Sequence, residues 1–260
     1  MKIATWNIAG IKARHETLIT WLAQKTPDIV CLQETKTIDE KFPRDAIEDL
    51  GYHIEAHGQK SFNGVAVLSK QKPDEVIRGL PGDVEDEQAR YIETVYSTTT
   101  GVLRVASLYL PNGNPISGPK YAYKLRWMER LYNHAKQRLS YEEPLILAGD
   151  YNVIPQEKDA KKPAQWCEDA LFVPKTRGAF QKICNLGLYD AIRCVSDESL
   201  YSFWDFQAGA WPKNNGIRID HLLLSPEALN HLKNASIEKS LRGWEKPSDH
   251  VPVWIELMLD

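Results

Sequence analysis

Short apolar runs alternate with amphipathic segments along the chain. Runs rich in β-branched and aromatic residues predict strands. The predicted strands are residues 2–8, 28–33, 64–69, 91–97, 102–110, 144–149, 217–224 and 251–258. Apolar positions at helical spacing predict helices. The predicted helices are residues 13–25, 119–139 and 226–233. Strands therefore outnumber helices, and each helix is expected to cover a face of a sheet.

The chain is predicted to form one α/β domain over residues 1–260, since no Pro/Gly/Ser-rich linker divides it. Each half contains strands that run directly into polar residues. These polar clusters are WN (6–7) and QETK (33–36), then GDYN (149–152) and SDH (248–250). The pattern favours two similar sheets packed face to face, with the polar strand ends gathered at one rim.

Composition narrows the class of protein. Hydrophobic residues make up 43% of 260, which supports a sizeable core and excludes disorder as the main state. The net charge of −3 argues against a histone-like binder of polyanions, although residues 112–138 hold six basic side chains and one acidic one, leaving room for a local phosphate-binding patch. We find no signal peptide or membrane segment. The four cysteines form no metal-binding spacing, so we expect reduced thiols and a cytoplasmic protein.

Polar residues end, interrupt or precede several apolar strands. They are Glu34, Asp150, Asn152, Asp220, Asp249 and His250. A carboxylate beside such a run costs free energy unless it is paired, hydrogen-bonded or bound to metal. Each one alone also fits a loop residue that contacts water. These residues lie at four separate places in the chain (34, 150–152, 220 and 249–250), and together they favour a functional site.

Oxygen ligands without cysteine or clustered histidine suit Mg²⁺ or Mn²⁺. Asn7 and Glu34 fit the sparse ligation that Mg²⁺ usually takes from protein. His250 has the residue type that contacts or protonates a phosphate oxygen, and Asp220 could orient its imidazole. A capped turn with a surface histidine is the alternative for SDH.

Asp150 and Asn152 are two residues apart, so on an extended chain their side chains point to the same side. One could then activate a water molecule and the other position it. Tyr109, near the end of its predicted strand, could donate its hydroxyl to a phosphate oxygen. A half-buried tyrosine at a strand end is the other interpretation.

In this order, the motifs resemble the exonuclease III family of abasic-site endonucleases, within the wider endonuclease/exonuclease/phosphatase superfamily. The matching segments are TWNIAGIKA (5–13), DIVCLQETK (28–36), GQKSFNGVAVLSK (58–70), RGLPGD (78–83), SLYLPNG (107–113), LILAGDYNV (145–153), YSFWDF (201–206), GIRIDHLLLS (216–225) and EKPSDHVPVW (245–254). Each motif alone is weak evidence for this family, but the whole set in this order and spacing is highly specific for it. The resemblance implies a two-sheet β-sandwich flanked by helices, with a divalent metal at the rim.

The same resemblance implies roles for the polar residues. Those that would bind or support the metal are Asn7, Glu34 and Asp249. Those that would act on the attacking water or the scissile phosphate, or lie near it, are Tyr109, Asn112, Asp150, Asn152, Asp220 and His250. The identity of the general base and the role of Tyr109 stay open. Ala9 departs from relatives that carry Asn or Asp there, which puts a second metal in doubt.

Two further groups concern DNA. Residues matching the pocket for a baseless sugar are Phe203, Trp204, Ile217 and Ile219, with ordinary core packing as the alternative. Ile217 stands where some relatives have a larger aromatic residue. Candidate phosphate contacts are Lys36, Lys60, Arg90, Lys120 and Lys124, with solvated surface charge as the alternative.

The leading hypothesis is a Mg²⁺-dependent, monomeric DNA repair nuclease that cuts double-stranded DNA 5′ to an abasic site and also processes 3′ ends. Three alternatives are kept. The first is an exonuclease for 3′ termini without strong abasic-site incision. The second is a superfamily phosphatase that acts on a lipid or small phosphoester. The third is a nucleic-acid-binding protein that has lost catalysis.

Overall fold

The computed structural model describes residues 1–99 and 101–259, and within them twelve strands form two sheets of six. The strands are β1 (Lys2–Asn7), β2 (Ile29–Gln33), β3 (His53–His57), β4 (Val65–Ser69), β5 (Glu75–Arg78), β6 (Tyr91–Thr98), β7 (Gly101–Tyr109), β8 (Leu145–Asp150), β9 (Tyr189–Asp190), β10 (Asp220–Leu224), β11 (Leu232–Ile237) and β12 (Val253–Leu257). The α-helices are α1 (His15–Lys25), α2 (Asp45–Glu48), α3 (Pro119–Leu139), α4 (Pro174–Cys184), α5 (Ala191–Val195) and α6 (Pro226–Leu229). Short 3₁₀ helices span Asp39–Lys41, Glu157–Asp159, Pro163–Trp166 and Lys239–Gly243.

The strand order brings chemically important strand ends together. The first sheet runs β11-β12-β1-β2-β4-β3, and the second runs β5-β6-β7-β8-β10-β9. The β1–β2 and β7–β8 pairs are parallel, whereas β10 is antiparallel to β8. In register, Tyr109 lies opposite Asp150, which in turn lies opposite Asp220. The carboxyl ends of β7 and β8 and the amino end of β10 therefore meet at one edge.

The core lies between the sheets, and helices cover their outer faces. Side chains such as Ile3 and Val67 from the first sheet cluster with Val105 and Leu222 from the second. Each such apolar side chain contributes roughly 1.5–3 kcal/mol when it is fully buried. On the outer faces, α1 packs against the first sheet and α3 against the second. The predicted two-sheet sandwich flanked by helices is confirmed, and so is the helix predicted over residues 119–139.

Two boundaries differ from the sequence prediction. The helix predicted over residues 226–233 ends at Leu229, and the chain continues as β11, which pairs with β12 at the sheet edge. Pairing with a neighbouring strand overrides the local helical spacing here. The strand predicted over residues 217–224 begins only at Asp220, while Ile217 forms isolated bridges with Ala160 and Phe203.

The sequence prediction missed the strands β3 and β5, the helix α4 and the short elements β9, α2 and α5. Both strands lie at sheet edges and carry charged residues, so they lack the continuous apolar run that marks a central strand. No helix in the described part of the chain is long and apolar enough to cross a membrane. All four cysteines are unpaired.

Candidate active site

Residues with left-handed backbone lie where three strands leave the sheets. Ala9, Glu34 and Asn152 follow β1, β2 and β8 with φ values of 50°, 51° and 47°. This conformation is costly for residues other than glycine, and such strain concentrates at functional sites. At each of these places the chain turns sharply at the rim. The sequence signals WN, QETK and GDYN therefore mark places where strands end abruptly.

His250 and Asp220 form a buried pair. The His250 Nδ1 lies 2.8 Å and 3.1 Å from the two Asp220 carboxylate oxygens. The Ser202 hydroxyl donates to Asp220 Oδ2 at 2.6 Å, and the Phe203 ring packs against the imidazole at a centroid distance of 4.9 Å. With Nδ1 donating to Asp220, the His250 Nε2 faces Asp150, whose Oδ2 is 3.7 Å away.

Asp150 lies at the centre of the cluster and is buried. Its Oδ1 accepts a 2.9 Å hydrogen bond from the Asn152 backbone N–H, and its Oδ2 accepts one of the same length from the Asn7 amide. Burial raises the pKa of Asp150 to about 7; the charge of Asp220 adds to this shift and that of His250 opposes it. Burial by itself would lower the pKa of His250, but Asp220 and Asp150 raise it to about 10. A carboxyl that titrates near neutrality thus adjoins a protonated imidazole.

Glu34 is held by three donors. Its Oε1 accepts from the Asn7 amide at 2.9 Å and from the Tyr109 hydroxyl at 2.8 Å, while Oε2 pairs with the Lys36 ammonium at 2.7 Å. Burial favours a raised pKa for Glu34, but the hydrogen bonds from Asn7 and Lys36 outweigh it and lower the pKa. Burial and the charge of Glu34 raise the pKa of Tyr109 well above 10, so its hydroxyl stays a donor. Glu34 is therefore an ionised carboxylate.

The donor set fits a hard divalent cation. Carboxylate oxygens of Asp150 and Asp220 lie within 4.8 Å of each other and of a ring nitrogen of His250, whose protonated imidazole offers a cation no lone pair. The Asn7 amide joins this group to the ionised Glu34. Carboxylate oxygens without thiolates are the ligands that Mg²⁺ and Mn²⁺ take. A cation would also offset the excess negative charge that the buried carboxylates carry. The Asn7 Oδ1 accepts from the Ala9 N–H at 3.0 Å, so Asn7 acts here as a donor that holds both carboxylates.

Asp249 lies next to His250 in the chain and forms no hydrogen bond with Asp150 or Asp220 among the described contacts. It is half-buried, and its Oδ1 lies 3.3 Å from the Ser248 hydroxyl. That hydroxyl also lies 2.7 Å from the backbone oxygen of Asn7. Ser248 thereby attaches the segment that carries Asp249 and His250 to the end of β1.

An apolar slot adjoins His250. Phe203, Ile217 and Ile219 cluster with Trp166. Phe203, Ile217 and Trp166 also form the apolar wall of a cavity of about 230 Å³, whose polar wall carries Asp205, Gln207 and Asn215; Ile219 does not line it. Trp204 does not fit the predicted pocket, because it is fully buried in a different cluster, where its ring packs on Trp211 at 5.1 Å. A buried indole there supports the loop that presents Phe203.

The predicted phosphate contacts divide by exposure. Lys36, Lys60 and Lys120 are exposed. Arg90 is half-buried and stacks over the Tyr109 ring at 4.8 Å. Lys124 is fully buried, so a direct phosphate contact does not fit its position.

Asn112 lies at the rim of the site. It is exposed, and its amide Nδ2 lies 3.4 Å from Asn152 Oδ1. The structure thus brings Asn112 to the same rim as Asn152.

Three residues near the site escaped the sequence analysis. Ser202 and Ser248 fall inside matched motifs, where a small polar residue beside a catalytic candidate was the available signal. Trp166 ends the short 3₁₀ helix Pro163–Trp166, and nothing in the sequence around it indicates its place beside Phe203.

Comparison with known proteins agrees with this geometry. Residues 4–250 match the Endonuclease/Exonuclease/phosphatase family. The chain is 34% identical to exodeoxyribonuclease III of Haemophilus influenzae, over 98% of this chain and 99% of that protein. An AP endonuclease structure from Archaeoglobus fulgidus aligns with a TM-score of 0.93 at 34% identity, covering 99% of both chains. A Neisseria 3′ phosphatase, NExo, bound to a product DNA hairpin aligns with a TM-score of 0.95 at 35% identity and the same coverage. The resemblance to exonuclease III enzymes is confirmed, and the chain belongs to the endonuclease/exonuclease/phosphatase family.

Proposed function

We propose that this protein is a Mg²⁺-dependent DNA repair nuclease that hydrolyses the phosphodiester 5′ to an abasic site in double-stranded DNA. The observation that carries the proposal is the contact between His250, in the cluster with Asp150 and Asp220, and Phe203, which lines a cavity together with Ile217. The names of the similar exodeoxyribonuclease III and AP endonuclease support the same reaction. We further propose a monomer located in the cytoplasm.

Glu34 and Asp249 would hold the metal, with Asn7 supporting Glu34 through its amide. Mg²⁺, or Mn²⁺ in its place, would supply positive charge that stabilises the phosphoryl oxygens as negative charge develops there. Ala9 offers no side-chain oxygen, so the β1 end would contribute only through Asn7. One metal ion is therefore the simpler proposal.

Asp150 would accept a proton from the attacking water, because a general base works best when its pKa lies near the operating pH. Asn152 would orient that water. The water oxygen would bond to phosphorus as the bond to the 3′ oxygen breaks, and that oxygen would take up a proton from solvent to become a 3′ hydroxyl. His250, held by Asp220, would donate from Nε2 to a phosphoryl oxygen and stabilise its charge. Tyr109 would keep Glu34 in place through its hydroxyl.

The slot gives a physical basis for selecting damaged DNA. Phe203 packs on His250 and lines the adjoining cavity with Ile217, which would suit a deoxyribose without a base, whereas Ile219 is buried behind them. An intact nucleotide would have to bring its base into the same small volume. Flipping out a nucleotide also costs least where pairing is already lost. Ile217 is smaller than an aromatic residue, so we expect a looser grip on the sugar.

The direct test uses an end-labelled duplex with one stable abasic analogue, incubated with Mg²⁺ or with EDTA beside an intact duplex. We expect metal-dependent incision immediately 5′ to the analogue and little cleavage of the intact control. Absence of incision at the analogue, with the protein folded and Mg²⁺ present, would overturn the abasic-site proposal.

Processing of 3′ ends is a second candidate, because the Neisseria relative with a TM-score of 0.95 is described as a 3′ phosphatase. A duplex with a recessed 3′ phosphate tests it through release of inorganic phosphate. Shortening from the 3′ end without internal incision would favour a 3′-processing enzyme. Cleavage of small phosphoesters alone would favour a phosphatase, and binding without any cleavage would favour a catalytically silent protein.

A further inference from the structure

Lys124 is a fully buried lysine that lies beneath the active-site loops. It projects from α3, and its ammonium donates to the backbone oxygen of Asn112 at 3.0 Å and to that of Asn152 at 2.6 Å. Lys120, one turn earlier on the same helix, is exposed. Burial lowers the pKa of Lys124 to about 7, and burying such a group is costly unless its donors are satisfied, so Lys124 occupies a place built to receive it.

The loop above Lys124 is shaped to fit its side chain. Gly113 has a φ of 90°, which favours glycine, and a Cβ at this position would lie only 2.6 Å from Lys124 Cδ. The same Cβ would lie 3.3 Å from Ala170 Cβ. Glycine therefore lets the loop after β7 rest directly on the aliphatic part of Lys124.

The bond to Asn152 connects Lys124 to the reacting groups. Asn152 accepts from Lys124 through its backbone oxygen and donates through its own backbone N–H to Asp150 Oδ1 at 2.9 Å. Its left-handed backbone is held at both ends by these contacts. The other carbonyl bond fixes Asn112, whose amide lies 3.4 Å from Asn152 Oδ1.

We propose that Lys124 is a positioning residue for phosphodiester cleavage. Its buried ammonium joins the loops after β7 and β8 and so fixes Asp150 and Asn152 relative to the scissile phosphate. This inference rests on the proposed function. It replaces the phosphate contact that the sequence pattern indicated with a role through the backbone of Asn152.

Kinetics of abasic-site incision over a range of substrate and salt concentrations distinguish a positioning role of Lys124 from a direct phosphate contact. We expect Lys124→Met to lower kcat about 10- to 100-fold, with KM and the salt dependence of binding unchanged, because small misplacements of reacting groups cost this much. Lys124→Arg should also lower kcat, since a planar guanidinium does not replace the ammonium beneath Gly113. Lys136→Met, an exposed change on the same helix, should behave as the unaltered enzyme.

A phosphate contact predicts the opposite pattern. Lys124→Met would then raise KM and reduce the salt slope by about one, and Lys124→Arg would behave as the unaltered enzyme. Exposed Lys120→Met provides the reference for that pattern. Either this pattern or an unchanged kcat in folded Lys124→Met would overturn the proposal. If Lys124→Met does not fold, the kcat and KM of Lys124→Arg decide.

Amide hydrogen exchange in EDTA, without DNA, gives a measurement that does not depend on activity. We expect the Asn152 N–H to exchange faster in Lys124→Met, or in Lys124→Arg if only that variant folds, and to stay protected in Lys136→Met. Unchanged protection would overturn the proposal that Lys124 restrains this loop. An unaltered enzyme that cleaves no DNA substrate would instead overturn the proposed function, while the exchange result would still report on the loop.

Discussion

Two buried carboxylates in this protein have opposite electrostatic surroundings. Glu93, on β6, lies 2.8 Å from Arg104 Nη1, 2.9 Å from Arg138 Nε and 2.7 Å from His134 Nε2. Asp150, on β8, forms one ion pair among the described residues, with His250 Nε2 at 3.7 Å. Both side chains are fully or almost fully buried. The number of cations around the carboxylate therefore differs, rather than its burial.

This difference appears in the acidity of the two groups. Burial favours a raised pKa for Glu93, but hydrogen bonds from His134 and Tyr91, with the charge of Arg138, lower its pKa to about 2. Burial raises the pKa of Asp150 to about 7. Glu93 therefore stays ionised and serves structure, whereas Asp150 exchanges a proton near neutral pH. A strongly perturbed carboxyl with few partners in a polar cluster is typical of a reactive group.

The largest expected effect is on Asp150→Asn. Turnover should fall by about 10³-fold or more, because an amide cannot accept the proton of the attacking water. DNA binding in EDTA should be retained, and the Tm should be equal or higher because a poorly compensated buried charge is removed. Single-turnover incision and thermal unfolding measure both properties.

Asp49→Asn, an exposed change of the same chemistry, is the control for Asp150→Asn. Residual activity within tenfold of the unaltered enzyme would remove Asp150 from the central role.

The reverse pattern is expected for Glu93→Gln. Loss of this charge leaves the cations of Arg104 and Arg138 without a partner and should cost about 3–5 kcal/mol in the free energy of unfolding. The kcat of the folded fraction should stay unchanged. Urea denaturation measures the stability. Glu55→Gln, which breaks a surface pair with Arg78, is the control and should cost at most about 1 kcal/mol.

A Glu93→Gln protein as stable as the unaltered one would mean that the paired cluster is not a structural element.

Acid should remove the stabilisation that the ionised Glu93 contributes to the folded state. The folded-state pKa of Glu93 is lowered from 4.5 to about 2, so its stabilisation is present above pH 4.5 and is lost as the pH falls towards 2. The loss amounts to about 3 kcal/mol. The difference in unfolding free energy between the unaltered protein and Glu93→Gln should therefore shrink over this range. A difference that stays constant down to about pH 2 would contradict the lowered pKa.

The smallest effect is expected at Glu34. Glu34→Gln should raise the Mg²⁺ concentration for half-maximal activity by about 10- to 100-fold, because the amide removes a negative ligand. A Mg²⁺ titration of incision measures the shift. Glu75→Gln, exposed on β5, is the control. An unchanged midpoint in Glu34→Gln would contradict a role of Glu34 at the metal.

The sequence indicated the site because its signal is local. Polar residues that directly follow buried strands stand out, and this placed Glu34, Asp150 and Asn152 at the rim before any contact was known. Paired motifs in both halves also favoured two similar sheets, which the structure confirms. Edge strands carry no such signal, because one side faces solvent and their charged residues resemble a loop.

Long-range contacts could not be predicted in the same way. The sequence around Lys124 predicts a lysine on the surface of a helix. The turn at Gly113 and the approach of Asn152 bury it instead. Trp204 lies in a matched motif, yet its ring packs on Trp211 in the core and does not line the slot. Both depend on partners distant in sequence.

The sequence by itself determined the two-sheet α/β class and the polar strand ends, because strand patterning and abrupt polar residues are properties of short segments. The tertiary structure decided which buried carboxyl titrates near neutral pH and which stays ionised. Acidity depends on the charges and hydrogen bonds around a buried group, and Arg104, Arg138 and the His134 ring approach Glu93 only after β6, β7 and α3 have packed together.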